Sequence, residues 1–226
     1  KIKASVSVWG KNFDNTTDVE DANDGDELKV TWEDLDSALT NIGESLELLV
    51  NGTKLEASDL QYQYESDDAR KNNVSEDTEV NVILKASGSE KDQYAVSGEG
   101  IKSGNYSVDV TYNKATIKKV DIKEAAEVEN SARNNEKIYV KESPASLKAE
   151  EGYTIATELG EPGVEYSQAA DVEVGENGGL VYYAKNSDGD IAKIAVNNVF
   201  IDNAAPTVAL ENIKKASNDI YVNKTT

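Results

Sequence analysis

Ile2-Lys3-Ala4-Ser5-Val6-Ser7-Val8 sets the character of this chain: apolar residues at every second position, lysine or serine between them. Side chains on an extended backbone alternate between faces, so this spacing puts one face against a core and the other toward water. The same period of two returns in Val80, Val82, Leu84 and Ala86 and again in Tyr106, Val108, Val110 and Tyr112. These runs predict half-buried antiparallel strands. Leu46 to Val50, Asn51-Gly52 and Thr53 to Leu55 predict a hairpin, because Asn-Gly supplies the positive φ angles of a tight turn. One stretch reads as helical: Leu35, Ala38, Leu39 and Ile42 fall at three- and four-residue spacing before a glycine stop at Gly43. Asp14 to Asp26 and Glu65 to Glu79 read as long polar loops.

A second signal concerns organisation. Ile220-Tyr221-Val222-Asn223-Lys224 restates Ile138-Tyr139-Val140-Lys141 about 82 positions later, and a period of that size is one small β-domain. Asn113-Lys114 follows the strand ending at Tyr112, and Ala115 to Ile122 opens a new one, so the expected division is 1–113, 114–205 and 206–226. The last segment then holds the opening strands of a further repeat. Short strands separated by turn signals predict an all-β chain of tandem Ig-like antiparallel β-sandwiches.

Composition narrows the function. The chain has 226 residues, 23 basic against 43 acidic, and a net charge of −20. Residues 1–113 hold 10 basic and 24 acidic residues, against 13 and 19 over 114–226. Such a surface repels phosphate backbones and anionic membranes, which argues against nucleic-acid and lipid-headgroup partners. Cysteine and histidine are absent, removing disulfides, thiolate metal sites, the usual catalytic triads and the common zinc sites. Methionine is absent as well, including at position 1, which predicts a processed or excised piece of a larger protein. No apolar stretch approaches the roughly 20 residues of a membrane-spanning helix, so no membrane insertion is expected of it. The acidic composition, rich in Asn, Thr, Ser and Asp, suits a secreted or surface-exposed protein. Asn15, Asn51, Asn73, Asn105 and Asn223 each begin an Asn-x-Ser/Thr sequon.

The stretch Gly178-Gly179-Leu180-Val181-Tyr182-Tyr183-Ala184-Lys185-Asn186-Ser187-Asp188-Gly189-Asp190-Ile191-Ala192-Lys193, followed by Phe200-Ile201-Asp202-Asn203-Ala204-Ala205-Pro206-Thr207-Val208, resembles the closing half of a bacterial Ig-like repeat. Those repeats show a glycine-led aromatic strand, an Asp-x-x-Gly-Asn turn, a last strand and an Asp-x-x-x-Pro junction. The resemblance covers roughly residues 120–210. It departs at the turn, where Asn186 stands for the usual Asp and Asp190 for the usual Asn, both types that tolerate a turn. It implies tandem extracellular modules of a bacterial surface protein, such as adhesins, stalks or accessory domains of secreted enzymes, and no catalytic residues.

Four constellations bear on binding or chemistry. Asp18, Asp21, Asp24 and Asp26, with Asp14 and Asn23 nearby, form the densest set of oxygen ligands and would suit calcium. Their spacing matches no EF-hand loop, and a solvated acidic loop is the competing reading. Asp188 and Asp190 invite the same proposal, where a hairpin turn competes. Trp32, Tyr62 and Tyr64, with Trp9 and Tyr94, could stack against sugar rings, while core packing is the alternative use of the same rings. Lys193 with Asn197 or Asn198 has the residue types of an internal isopeptide bond, without a characteristic motif around them. Paired acids for glycoside hydrolysis would have to lie about 5 to 9 Å apart in a cleft, and the sequence singles out no pair.

The expected function is therefore a non-enzymatic spacer or adhesin module, presenting a binding region to a glycan or protein on a host or neighbouring cell. A carbohydrate-binding accessory module of a larger glycan-active protein is the alternative. Residues 207–226 would also be able to exchange a strand with a neighbouring chain's sheet edge.

Overall fold

The computed structural model describes residues 1–19, 28–85, 92–203, 214–216 and 219–221. Among the described residues the N-terminal part carries nine strands: β1 (Ile2–Val8), β2 (Leu28–Glu33), β3 (Glu47–Val50), β4 (Thr53–Lys54), β5 (Leu60–Gln63), β6 (Thr78–Leu84), β7 (Tyr94–Ser97), β8 (Val108–Tyr112) and β9 (Ala115–Ile117). Two short helices interrupt them, α1 (Ser37–Thr40) and α2 (Asp67–Asn72). Nine further strands follow: β10 (Ala126–Val128), β11 (Ala132–Asn134), β12 (Lys137–Val140), β13 (Ala145–Ala149), β14 (Tyr153–Ala156), β15 (Ala169–Val172), β16 (Gly179–Asn186), β17 (Ile191–Asn197) and β18 (Val199–Ile201). A last hairpin joins β19 (Lys214–Ala216) and β20 (Asp219–Tyr221). The chain is thus all-β, in several small and mostly antiparallel sheets.

The alternation in β1 is realised side chain by side chain. Ile2, Ala4, Val6 and Val8 are all buried, while Lys1 and Lys3 reach Asp109 and Asp34 on the surface. Each fully buried Val or Ile contributes about 1.5–3 kcal/mol by leaving water. β1 is central, antiparallel to β2 and parallel to β8. The order β4-β3-β7 and the order β5-β6-β9 complete the N-terminal sheets. The Asn51-Gly52 hairpin forms as the sequence requires: Val50 faces Thr53, and φ is 51° and 88° at the two turn residues.

In the C-terminal part the order β10-β13-β15 makes one sheet and β14-β16-β17 another. Val128, Leu147 and Val172 from the first meet Ile155, Leu180, Tyr182 and Ile194 from the second in one buried cluster. The β11-β12 hairpin leaves this pair of sheets and takes β18 in parallel, Tyr139 opposite Phe200. Asn198, at φ 61°, makes the step from β17 to β18, and its amide donates to the Gly178 carbonyl.

Three segments differ from the sequence reading. Ala115–Ile117, expected to open the second module, pairs with β6 and buries Ala115 and Ile117 in the N-terminal core. The passage between cores therefore falls between Ile117 and Ala125. Glu65 to Glu79, read as a polar loop, contains α2, started by Ser66 accepting from the Ala69 amide, with Asp67 and Asp68 in the first turn and Arg70 and Lys71 in the last. The helical reading around Leu35 to Ile42 shortens to α1. There Asp36 caps the Ala38 and Leu39 amides at 3.0 Å, and Leu39 is fully buried.

Gly10 marks the tightest backbone approach, since a Cβ there would sit 1.8 Å from the Thr116 carbonyl oxygen. Gly10→Ala is expected to cost about 1–3 kcal/mol by overpacking against backbone that cannot yield. Gly104→Ala, where the added carbon meets nothing within 4 Å, serves as control. Urea denaturation of the two variants checks the difference.

Candidate functional site

The densest polar constellation lies where the N-terminal core meets the C-terminal part, and the connection after β1 builds it. Residues 9–19 leave β1 and run beside the segment that follows β9, Asn12 facing Lys118 in a parallel bridge. The Phe13 amide donates to the Lys118 carbonyl and the Lys118 amide to the Lys11 carbonyl, each at 2.8 Å. The Phe13 ring is fully buried. Its carbonyl accepts the Ile191 amide at 2.7 Å, tying the start of β17 to the N-terminal part. Ile191 and Leu159 pack into the N-terminal core, although both belong to the C-terminal part by sequence. Tyr166 and Tyr183 pack against the same cluster, and burial pushes the Tyr166 hydroxyl pKa upward.

Two buried cations hold the connection in place. The Lys11 ammonium donates to Asp14 Oδ2 at 2.7 Å, Thr16 Oγ1 at 2.6 Å and the Asp18 carbonyl at 3.0 Å, and it lies 5.7 Å from the centre of the Tyr62 ring. All three ammonium hydrogens thus have acceptors, which is the condition for burying a charge at tolerable cost. Asp14 also accepts the Thr16 amide at 2.9 Å, shaping the turn that places Asn15 at φ 63°. Arg70, from α2, donates to Asn15 Oδ1, to Asp67 Oδ1 at 2.9 Å through Nε, and to the Gly160 carbonyl at 3.2 Å. One guanidinium therefore joins α2, the β1–β2 connection and the C-terminal part. Asn73 closes the floor: its amide donates to the Glu76 and Ile117 carbonyls, and its Oδ1 accepts from the Tyr64 hydroxyl at 2.8 Å.

The β16–β17 turn completes the junction. Asn186 Oδ1 accepts the amides of Asp188 and Asp190, and Asn12 Nδ2 donates to Asp190 Oδ2 at 3.1 Å. Asn186 and Asp190 thus have separate uses. Asn186 caps the turn and Asp190 receives Asn12. Among the described residues, no buried side-chain nitrogen or oxygen lacks a partner. The arrangement is closed to a substrate; what it can do is lock two parts of the chain together.

The residues singled out by sequence fall elsewhere or inward. Tyr62 is 1% exposed and its hydroxyl donates to the Trp9 carbonyl, so it offers no ring face to a sugar. Tyr64 is half-buried, its hydroxyl pKa raised by burial, and Trp32 is wedged between two hydrophobic clusters. Trp9, at 61%, is the one exposed aromatic among the described residues. Asp18 pairs its carboxylate with Lys85 at 3.0 Å, while Asp21, Asp24 and Asp26 lie outside the described residues. Lys193, Asn197 and Asn198 are all exposed, away from the apolar setting an isopeptide bond needs. Of the sequons, Asn15 and Asn73 are buried, and Asn51 and Asn105 are exposed. A separate cleft of about 520 Å³ opens between the free edges of β10 and β17, with Lys123, Arg133, Glu127 and Glu150 at its rim and Tyr182 among its lining residues.

No family model matches the chain, and no curated protein matches it. Among solved structures, the ectodomain of human desmocollin-1 aligns at 11% identity over 95% of this chain and 44% of that one, with a TM-score of 0.17. The chain spans less than half of that ectodomain, and a likeness at this level carries no argument.

Arg70→Ala leaves Asn15 Oδ1 and the Gly160 carbonyl without this donor, and is expected to cost about 1–3 kcal/mol in urea denaturation. Asp67→Asn removes the carboxylate paired with this buried guanidinium but keeps an acceptor oxygen at a side chain about half exposed, and is expected to cost less than Arg70→Ala in the same denaturation. Hydrogen bonds from Lys71 and then Arg70 hold the Asp67 carboxyl below the ordinary 3.8. Its contribution is therefore present above pH 3.8 and is lost only as pH falls through that lowered value. An NMR titration of the Asp67 carboxyl carbon checks the direction.

Proposed function

We propose that this chain is a non-enzymatic segment of a bacterial surface or secreted protein, built from tandem Ig-like β-sandwiches. It acts outside the cell as a rigid spacer or adhesin module that presents a binding region to a glycan or protein on another surface. The observation that carries the reading is the junction itself: Arg70 reaching Gly160, the Ile191 amide on Phe13, and Leu159 and Ile191 within the N-terminal core. A flexible tether between independent modules would have no use for such an interlock, whereas a spacer depends on it. The two-sheet arrangement β10-β13-β15 and β14-β16-β17 around one buried cluster supports the Ig-like reading.

Residual dipolar couplings test the spacer. Couplings from residues 1–117 and from 125–201 are expected to fit one alignment tensor in the intact chain. Two independent tensors would describe a tether and sink the proposal.

A further inference from the structure

We infer that the β19–β20 hairpin opens a further copy of the unit that begins at β10, and that the edge of β20 away from β19 is the acceptor for that copy's closing strand, taken in parallel. The inference rests on the modular reading above, but on separate observations.

The first is register. In the earlier hairpin Ala132 faces Tyr139, Arg133 faces Ile138 and Asn134 faces Lys137. In the later one Lys214 faces Tyr221, Lys215 faces Ile220 and Ala216 faces Asp219. Every pair recurs 82 positions on. A register slip of one residue would reverse the faces of the whole strand, so agreement in all three pairs is a specific match.

The second is sequence at the same offset. Glu211-Asn212 stands where Glu129-Asn130 stands, and Ile220-Tyr221-Val222 where Ile138-Tyr139-Val140 stands. Asn130 adopts φ 51° in the turn between β10 and β11, a conformation that asparagine tolerates better than most residues. Val208 and Leu210 likewise occupy the positions of Ala126 and Val128, which pack in the C-terminal core.

The third is what the earlier hairpin does with its edge. β12 takes β18 in parallel, Ile138 opposite Val199 and Val140 opposite Ile201, with the Ile138 amide donating to the Asn198 carbonyl at 2.9 Å. Among the described residues β20 pairs only with β19. By the same register, the edge of β20 away from β19 carries, at Ile220, the donor that Ile138 spends on a closing strand. The occupant is fixed by the same equivalence: an extended segment of the Val199-Phe200-Ile201 type, entering parallel to β20 and ending a unit that β20 begins.

Because Val222 stands at Val140, residues 141–203 can be appended directly after Val222 to complete a copy in register. A shorter fusion carrying only 141–197 lacks the closing strand. Amide hydrogen exchange at Ile220 is the readout. We expect it to slow by about tenfold or more in the long fusion relative to the short one, and to approach the protection of Ile138. Equal exchange in the two fusions would overturn the proposal. A third chain, in which 126–140 replaces 208–222 ahead of the same appended 141–203, separates folding from equivalence. If it folds and the long fusion does not, the hairpin is not an opening hairpin; if neither folds, the repeat itself fails. None of these outcomes touches the dipolar-coupling test of the junction, so the two readings stand or fall separately.

Discussion

Arg70 is the constraint on which the rest of the molecule depends. Its guanidinium is almost wholly buried and distributes its donors over Asp67 on its own helix, Asn15 in the β1–β2 connection and Gly160 in the C-terminal part. A buried charge is tolerated only when paired and hydrogen-bonded, and the cost of leaving it otherwise fixes all three partners at once. Asn15 can accept only from its left-handed turn, which Asp14 shapes while also receiving Lys11. Phe13 is thereby held in the core with its carbonyl aimed at the Ile191 amide. Polar geometry sets the positions; the buried area of Phe13, Leu159 and Ile191 supplies much of the stabilisation.

Much of the fold was legible because it follows from alternation. Ile2 to Val8 reads as a strand and is one; of the runs Val80 to Ala86 and Tyr106 to Tyr112, Val80 to Leu84 and Val108 to Tyr112 lie in strands, the latter parallel to β1 rather than antiparallel, and Ala86 lies outside the described residues, while Asn51-Gly52 reads as the hairpin it is. α2 was missed because its six residues contain no apolar period, although Ser66, Asp67 and Asp68 followed by Arg70 and Lys71 carry the capping and dipole pattern of a helix. Ala115–Ile117 reads as the start of the second module and packs in the first, because strand period says where a strand is and not which sheet receives it.

The junction was less legible still. A lysine and an arginine in loop-like sequence read as surface charge, and burial by three acceptors each is a tertiary event. Gly10 next to Lys11-x-x-Asp14-Asn15 was the available signal: a close approach followed by a self-capping turn. The rings of Tyr62 and Tyr64, candidates for stacking against sugars, turn inward instead, Tyr62 fully buried and the Tyr64 hydroxyl donating to Asn73. The use of Asp190 in the β16–β17 turn likewise emerges only when Asn12 is brought beside it.

The central claim is that the two parts of the chain share a core rather than a hinge, and the Ile191 amide reports on it most directly. Native-state hydrogen exchange, followed by NMR under increasing urea, should show this amide exchanging only through the same opening that releases the Phe13 and Tyr62 amides of the N-terminal core. Exchange of Ile191 through a separate, low-energy opening, while those amides stay protected, would mean that the contact frays independently and that the parts are hinged.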